Sequence, residues 1–286
     1  LSATARTGIT LGIVNVNTSV TMTQTIVDAA TAVAAPDTTI VGVTPTIGPD
    51  SVETHVEAAL SQVGVITAVH RRHTAPITLD TPAIDAWIIA GYGDEGREAL
   101  QELVDVPVVD ITEAAAIAAM AVGDRYAVVT TLDRTVPMIR GRLELAGVHD
   151  RCVSVKGTGL GVLELEEDAA RTDGLILDLA REALADGAEA VCLGCGGMAG
   201  RAPELSTELG APVVDGVTAA VGIAESLVRQ GLTTSRVGTY AARSPKKLSG
   251  FEDLEISSGA HVADSADSAD SAGSADSADS AETELP

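Results

Sequence analysis

The sequence predicts an α/β protein built as two pseudo-symmetric Rossmann-like halves, each with a parallel sheet, with a cleft between them. Three observations predict it. Short β-branched runs alternate with alanine-rich stretches of helical period along most of the chain. The strand candidates are apolar throughout, as strands covered on both faces are. The chain also repeats itself: PVVDITEAA at 107–115 matches PVVDGVTAA at 212–220.

In order, TLGIVNV (10–16) opens a strand and a helical segment follows Asn17. TTIVGVTP (38–45) is a second strand, and AWIIAGY (86–92) a third that leads into a helix at GREALQELV (96–104). VPVVDITEAAAIAAMA (106–121) reads as strand then helix, and so does RYAVVTTL (125–132) with VPMIRGRLELA (136–146). RCVSV (151–155) is a strand holding Cys152. A long helix at DGLILDLAREALADG (173–187), the strand AEAVCLGC (188–195), and APVVDGVTAAVGIAESLVRQ (211–230) complete the series. Carrying the repeat backwards lays IIAGYG (88–93) over the segment around Cys195, and LGIVNVNTS (11–19) over YAVVTTLDR (126–134). The halves are therefore expected at 10–115, with return of the C-terminal helix, and 116–242. Cys195 and Gly91 fall at equivalent strand ends, where ligands of open α/β sheets bind. From 259 to 286 the regular Ala-Asp-Ser repeats are expected to be a disordered acidic tail.

Composition narrows the partners. Asp and Glu number 41 against 18 Lys and Arg, and the only lysines are Lys156, Lys246 and Lys247. Of the net charge of −23, seven units lie in 259–286, which leaves −16 on the rest. Such a surface suits a halophilic protein that stays hydrated when salt screens charge within roughly 3 Å. It argues against nucleic acid and anionic membranes, both of which ask for a basic face. The start, LSATARTGIT, lacks an apolar leader, and no apolar run approaches a membrane span, so a cytoplasmic protein with reduced thiols is expected. Three cysteines without framework spacing do not form a disulfide scaffold, and Cys192 and Cys195 lack the second pair that zinc needs. His70 and His73 in AVHRRHTAP read as surface histidines without a carboxylate partner nearby, so no metal site is assigned.

The candidate site centres on VCLGCGGM (191–198). Cys152, within the strand RCVSV, and Cys192, inside an apolar run, read as small core residues. Cys195 follows such a run and is flanked by Gly194, Gly196 and Gly197, which permit close approach of a ligand. The segment after it reads as a helix, whose N-terminus would lower the thiol pKa. Asn17, Thr18 and Ser19 follow the first strand, where capping and ligand binding are both open to them. Asp110 and Asp215, at one repeat position, read as helix caps.

VCLGCGGM resembles the second cysteine motif of the Asp/Glu/hydantoin racemase superfamily. NVNTS (15–19), PTIGPDSVE (45–53), GYGDEG (91–96), VVTTL (128–132) and PVVDGVTAAV (212–221) resemble, in order, the other landmarks of its hydantoin racemase branch, over residues 10–242. The resemblance implies an isomerase that needs no cofactor, acts on a small-molecule carbon acid, and sets one cysteine from each half on opposite faces of the substrate carbon. Such an enzyme removes an α-proton as thiolate on one face and returns one as thiol on the other. It implies Cys195 as the catalytic thiol, with Asn17, Thr18, Gly91, Tyr92, Thr130, Thr131 and Gly196 around the substrate. A symmetric family and an apolar helical face also suggest a homo-oligomer.

The chain departs from the pattern at one place. Where the family has its first cysteine, in IIA-C-(F/Y)-G-D, this sequence has Gly91. A water or a neighbour, with Tyr92 and Asp94 closest in sequence, would then serve that face in a racemase. Alternatively a single thiol protonates an enolate on one face, as the resemblance to arylmalonate decarboxylases suggests, or the chain binds a ligand without turnover.

Overall fold

The computed structural model describes residues 8–93 and 95–255. The first series of elements is β1 (Ile9–Val14), α1 (Val20–Val33), β2 (Thr38–Val43), α2 (His55–His73), β3 (Ala86–Ile89), α3 (Arg97–Leu103), β4 (Val108–Asp110) and α4 (Ile111–Val122). The second is β5 (Tyr126–Thr130), α5 (Val136–Leu145), β6 (Cys152–Gly157), α6 (Ala169–Ala185), β7 (Ala190–Leu193), α7 (Ala202–Leu209), β8 (Val213–Asp215) and α8 (Gly216–Arg229). The strands make two four-stranded sheets in the orders β2-β1-β3-β4 and β6-β5-β7-β8. Every pairing is parallel. The expected α/β class with two parallel sheets is what the chain adopts.

Burial explains why the central strands are apolar on both sides. On one face of the first sheet Leu11, Ile13 and Ile88 pack with Ile26 of α1 and Val217, Ala220 and Val221 of α8. On the other, Val14, Trp87 and Ile89 meet Val65 and Val69 of α2 and Leu100 of α3. In the second sheet Val191 and Leu193 pack with Ile176 and Leu177 of α6, while Val128 and Cys192 face Ala115 and Ala119 of α4 and Ile139 of α5. The two terminal helices are thus exchanged. The helix after β4 covers the second sheet, and the helix after β8 covers the first. A division at 115/116 falls inside α4.

The exchanged helices start side by side. A Cβ on Gly216 would stand 2.5 Å from the carbonyl oxygen of Ile111, so α8 begins in backbone contact with α4. Both starts are capped by the aspartates of the repeat: Asp110 accepts from the amides of Thr112 and Glu113, each at 2.9 Å, and Asp215 from Val217 at 2.8 Å.

A buried ion cluster ties α5 to α3 and α4. The Arg142 side chain is 1% exposed, and its guanidinium reaches Glu98 Oε1 at 2.7 Å, Asp110 Oδ2 at 2.9 Å and Glu113 Oε1 at 2.5 Å. Burial opposes the Arg142 charge, but the carboxylates around it outweigh that and raise its pKa.

The reading of His73 needs correction. His73 is partly buried at the end of α2: its Nδ1 accepts a 3.4 Å hydrogen bond from Trp87 Nε1, and its Nε2 stands 3.5 Å from Asp105 Oδ1. Burial lowers its pKa, with Asp105 opposing. The partner was missed because Asp105 comes from beyond β3, far along the chain. The basic stretch around it is also the last turn of a 19-residue helix, where cations favour the negative end of the dipole.

Of the described residues, those from Arg243 to Glu255 belong to a separate unit, with a 3-10 turn at Glu252–Leu254 and an Arg243 Nη2 hydrogen bond to the Leu254 carbonyl at 3.1 Å. The tail expected at 259–286 lies outside the described residues. Among the described residues no helix is long and apolar enough to cross a membrane.

Two stability measurements follow. Arg142→Ala leaves Glu98, Asp110 and Glu113 with only the longer contacts of Arg97, at 3.4 to 3.6 Å, and is expected to lower unfolding free energy by about 1–3 kcal/mol in urea titration. Gly216→Ala forces a methyl against a backbone carbonyl and is expected to cost about 1–3 kcal/mol. A loss under 0.5 kcal/mol in either case contradicts the packing described.

Candidate active site

The strand ends of the two sheets superpose in their local bonding. After β3, the Ala90 amide continues the ladder onto Val14 O at 2.9 Å; after β7, the Gly194 amide does the same onto Val129 O at 2.7 Å. The next residue in each case is Gly91 or Cys195. These ends meet directly, because a Cβ on Gly196 would lie 2.5 Å from the carbonyl oxygen of Ala90. Only glycine allows that approach.

Around the meeting point lies a cavity with about 510 Å³ of free space, its open side included. Both halves line it. Of the residues singled out from the sequence, Asn17, Gly91, Tyr92, Thr130, Thr131, Cys195 and Gly196 are in its wall. Thr18 is not: its amide and hydroxyl both donate to the carbonyl of Pro49, at 2.9 and 3.2 Å, and so fix the following loop. Asp94 lies outside the described residues.

Cys195 stands in extended backbone before a single 3-10 turn, Gly196–Met198, and α7 begins only at Ala202. The expected α-helix N-terminus beside the thiol is therefore absent, and with it the expected fall in pKa. Burial instead pushes the thiol up to about 11, the Gly197 N–H draws it down, and the charges of Glu95 and Glu53 raise it further. At neutral pH Cys195 is a thiol, a proton donor. Cys192 is fully buried among Tyr126, Val128 and Ile139, and burial raises its pKa strongly. Cys152 is partly buried at the start of β6, with its thiol pushed up to about 11.

The other side chains divide between holding the walls and facing the space. The Asn17 carbonyl oxygen accepts from Asn15 Nδ2 at 2.8 Å and from the Ser19 amide at 2.9 Å. Its NH₂ meets Met22 Sδ at 3.2 Å, and with two hydrogens it has a second to offer. Ser19 caps α1 through the Met22 amide at 3.2 Å. Thr130 donates to the Gly194 carbonyl at 2.8 Å, so its hydroxyl anchors the loop that carries Cys195. Thr131, also buried, holds the 158–159 turn through its carbonyl and shares the cavity wall. Tyr92 packs in the cluster that holds Cys192, its hydroxyl has no hydrogen-bond partner among the described residues, and burial raises its pKa well above the usual phenol value.

Sequence reasoning passed over Asn15, Met138, Val162 and, above all, Glu95, all in the cavity wall. Asn15 had a signal, a polar residue ending an apolar strand. Glu95 had none in pattern, since a single acid in an acidic chain looks like surface. In the structure it is 6% exposed. Among the described residues of the wall it is the only charged side chain.

Residues 11–224 match the model of the family described as Asp/Glu/hydantoin racemase. A hydantoin racemase of Rhizobium meliloti is 39% identical over 192 residues, covering 67% of this chain and 77% of that protein. Among solved structures, an allantoin racemase of Pseudomonas fluorescens is 53% identical with a TM-score of 0.79, covering 84% of this chain and 99% of that one. An allantoin racemase of Klebsiella pneumoniae is 40% identical with a TM-score of 0.81, covering 87% and 99%. With its paired strand ends, its glycine-flanked thiol and a family match along most of its length, the chain belongs to the Asp/Glu/hydantoin racemase family.

Proposed function

We propose that this chain racemises 5-substituted hydantoins, allantoin among them, without a cofactor, and that Cys195 is its proton-transfer thiol. The observation that carries the reading is the position of Cys195 in a small cavity whose described wall holds no Arg, Lys or His. A free amino acid or a malonate brings a carboxylate, which needs a cation to hold it. A hydantoin brings a neutral ring with amide N–H and C=O groups. The side chains of Asn17 and Thr131 offer it hydrogen bonds. The charge of Glu95 also disfavours a dianionic malonate, so inversion is preferred here to one-face decarboxylation.

The ring makes the chemistry accessible. Its C5–H lies next to a carbonyl, and the electron pair left on C5 spreads into that carbonyl as an enolate. Polar groups at the strand ends stabilise the oxygen that gains charge. Names of relatives point the same way: those compared above are hydantoin and allantoin racemases.

Single enantiomers of a 5-alkyl hydantoin and of allantoin, incubated with the protein in D₂O and molar KCl, test the reading by chiral chromatography and mass. Inversion with deuterium at C5 is expected. Absence of both inversion and exchange with every hydantoin contradicts it. The state of the thiol has its own test: alkylation of Cys195 by iodoacetamide, followed on its peptide, is expected to accelerate continuously up to about pH 11, because burial raises the thiol. A rate that levels off by about pH 8 contradicts a thiol held protonated at neutrality.

A further inference from the structure

Resting on the racemase reading, we propose that Glu95 is the proton-transfer group on the face opposite Cys195, in the place where a second thiol would stand. The geometry at Gly91 carries this. Gly91 and Cys195 each follow the residue that extends the ladder beyond β3 or β7, so they are equivalent positions of the two halves. A side chain at 91 would enter space that is already filled: its Cβ would lie 2.8 Å from Glu95 Cδ, 2.9 Å from Glu95 Cγ and 2.5 Å from Val16 Cγ1. The carboxyl carbon of Glu95 therefore occupies the volume that a residue-91 side chain would claim. The 91–96 loop brings it there, with Gly93 at φ 152° and its amide held by Thr112 Oγ1 at 3.0 Å.

Two further facts support a chemical role. Glu95 and Cys195 line one cavity, and the charge of Glu95 acts on the thiol through it, raising its pKa. Tyr92, one of the two neighbours that sequence suggested, packs in the cluster that holds Cys192 and Tyr126, and its hydroxyl has no hydrogen-bond partner among the described residues.

The step balances without a co-reactant. The Glu95 carboxylate takes the C5 hydrogen as a proton, and the C–H electron pair enters the ring enolate. The enolate takes a proton from the Cys195 thiol on the other face, forming the new C–H bond. The protein is left as carboxylic acid and thiolate, and the proton returns from one to the other through solvent before the next turnover. Inversion of the opposite enantiomer runs from the acid and thiolate form.

The experiment follows C5 exchange of each hydantoin enantiomer in D₂O at about pH 8 with the full chain and its variants. Glu95→Gln is expected to lower racemisation at least ~10²-fold while retaining slow exchange of one enantiomer without inversion. Cys195→Ala is expected to retain exchange of the other enantiomer. If Glu95→Gln loses cooperative thermal unfolding, the Val16→Ala, Gly91→Cys, Glu95→Ala triple variant replaces it: with both side chains that fill the space cut back, a thiol there is expected to restore inversion at least ~10-fold over the Val16→Ala, Glu95→Ala variant. Glu95→Gln racemising at the parent rate, both single variants retaining exchange of the same enantiomer, or no rescue by the triple variant overturns the proposal and leaves the racemase reading standing. An unaltered protein that neither exchanges nor inverts any hydantoin overturns that reading as well.

Discussion

The structure depends on two backbone contacts between its halves, each made possible by a missing side chain. Gly196 lies against the carbonyl of Ala90, and Gly216 against the carbonyl of Ile111. The first brings together the ends of β3 and β7, and with them Gly91 and Cys195. The second seats α8 on α4 at the point where the two helices cross to the other half's sheet. Close-packed interiors leave little slack for such contacts to move. The cavity between the strand ends is thus fixed by the same packing that joins the sheets, and its walls come from both halves.

Charge is distributed with the same economy of means. The chain is strongly acidic, yet its interior gathers carboxylates at few places. Around Arg142 three of them meet a buried guanidinium. In the cavity Glu95 shares the wall with Cys195, and burial together with the Glu95 charge raises the thiol. In the proposed reaction that pair supplies the base on one face and the acid on the other.

Much of the fold was legible because parallel strands buried on both faces read as unbroken apolar runs, and because PVVD recurs with its capping aspartate. Helix α2 was less so: its polar and basic final turn looks like a loop until the dipole and Trp87 are seen beside it. In the site, the glycines around Cys195 marked it, the repeat set Gly91 at the equivalent position, and the family resemblance marked Gly91 as the place of an absent thiol. The uses of Thr18 and Thr130 were not, since the carbonyls that take their hydroxyls come from Pro49 and Gly194, distant in sequence. The thiol pKa was misjudged because a 3-10 turn stands where a helix was expected, so burial dominates. Glu95 was hidden for a related reason. Its burial depends on the space left by a glycine four residues earlier, which only the folded loop reveals.

The central claim is that one substrate carbon is held between Cys195 and the position of the absent thiol. A crystal structure of the Cys195→Ala protein with a single-enantiomer 5-alkyl hydantoin tests it most directly. The account predicts the ring in this cavity, with C5 between residue 195 and the Glu95 carboxylate and the two on opposite faces of the ring. A ring bound elsewhere, or with Glu95 and residue 195 on the same face of C5, would contradict it.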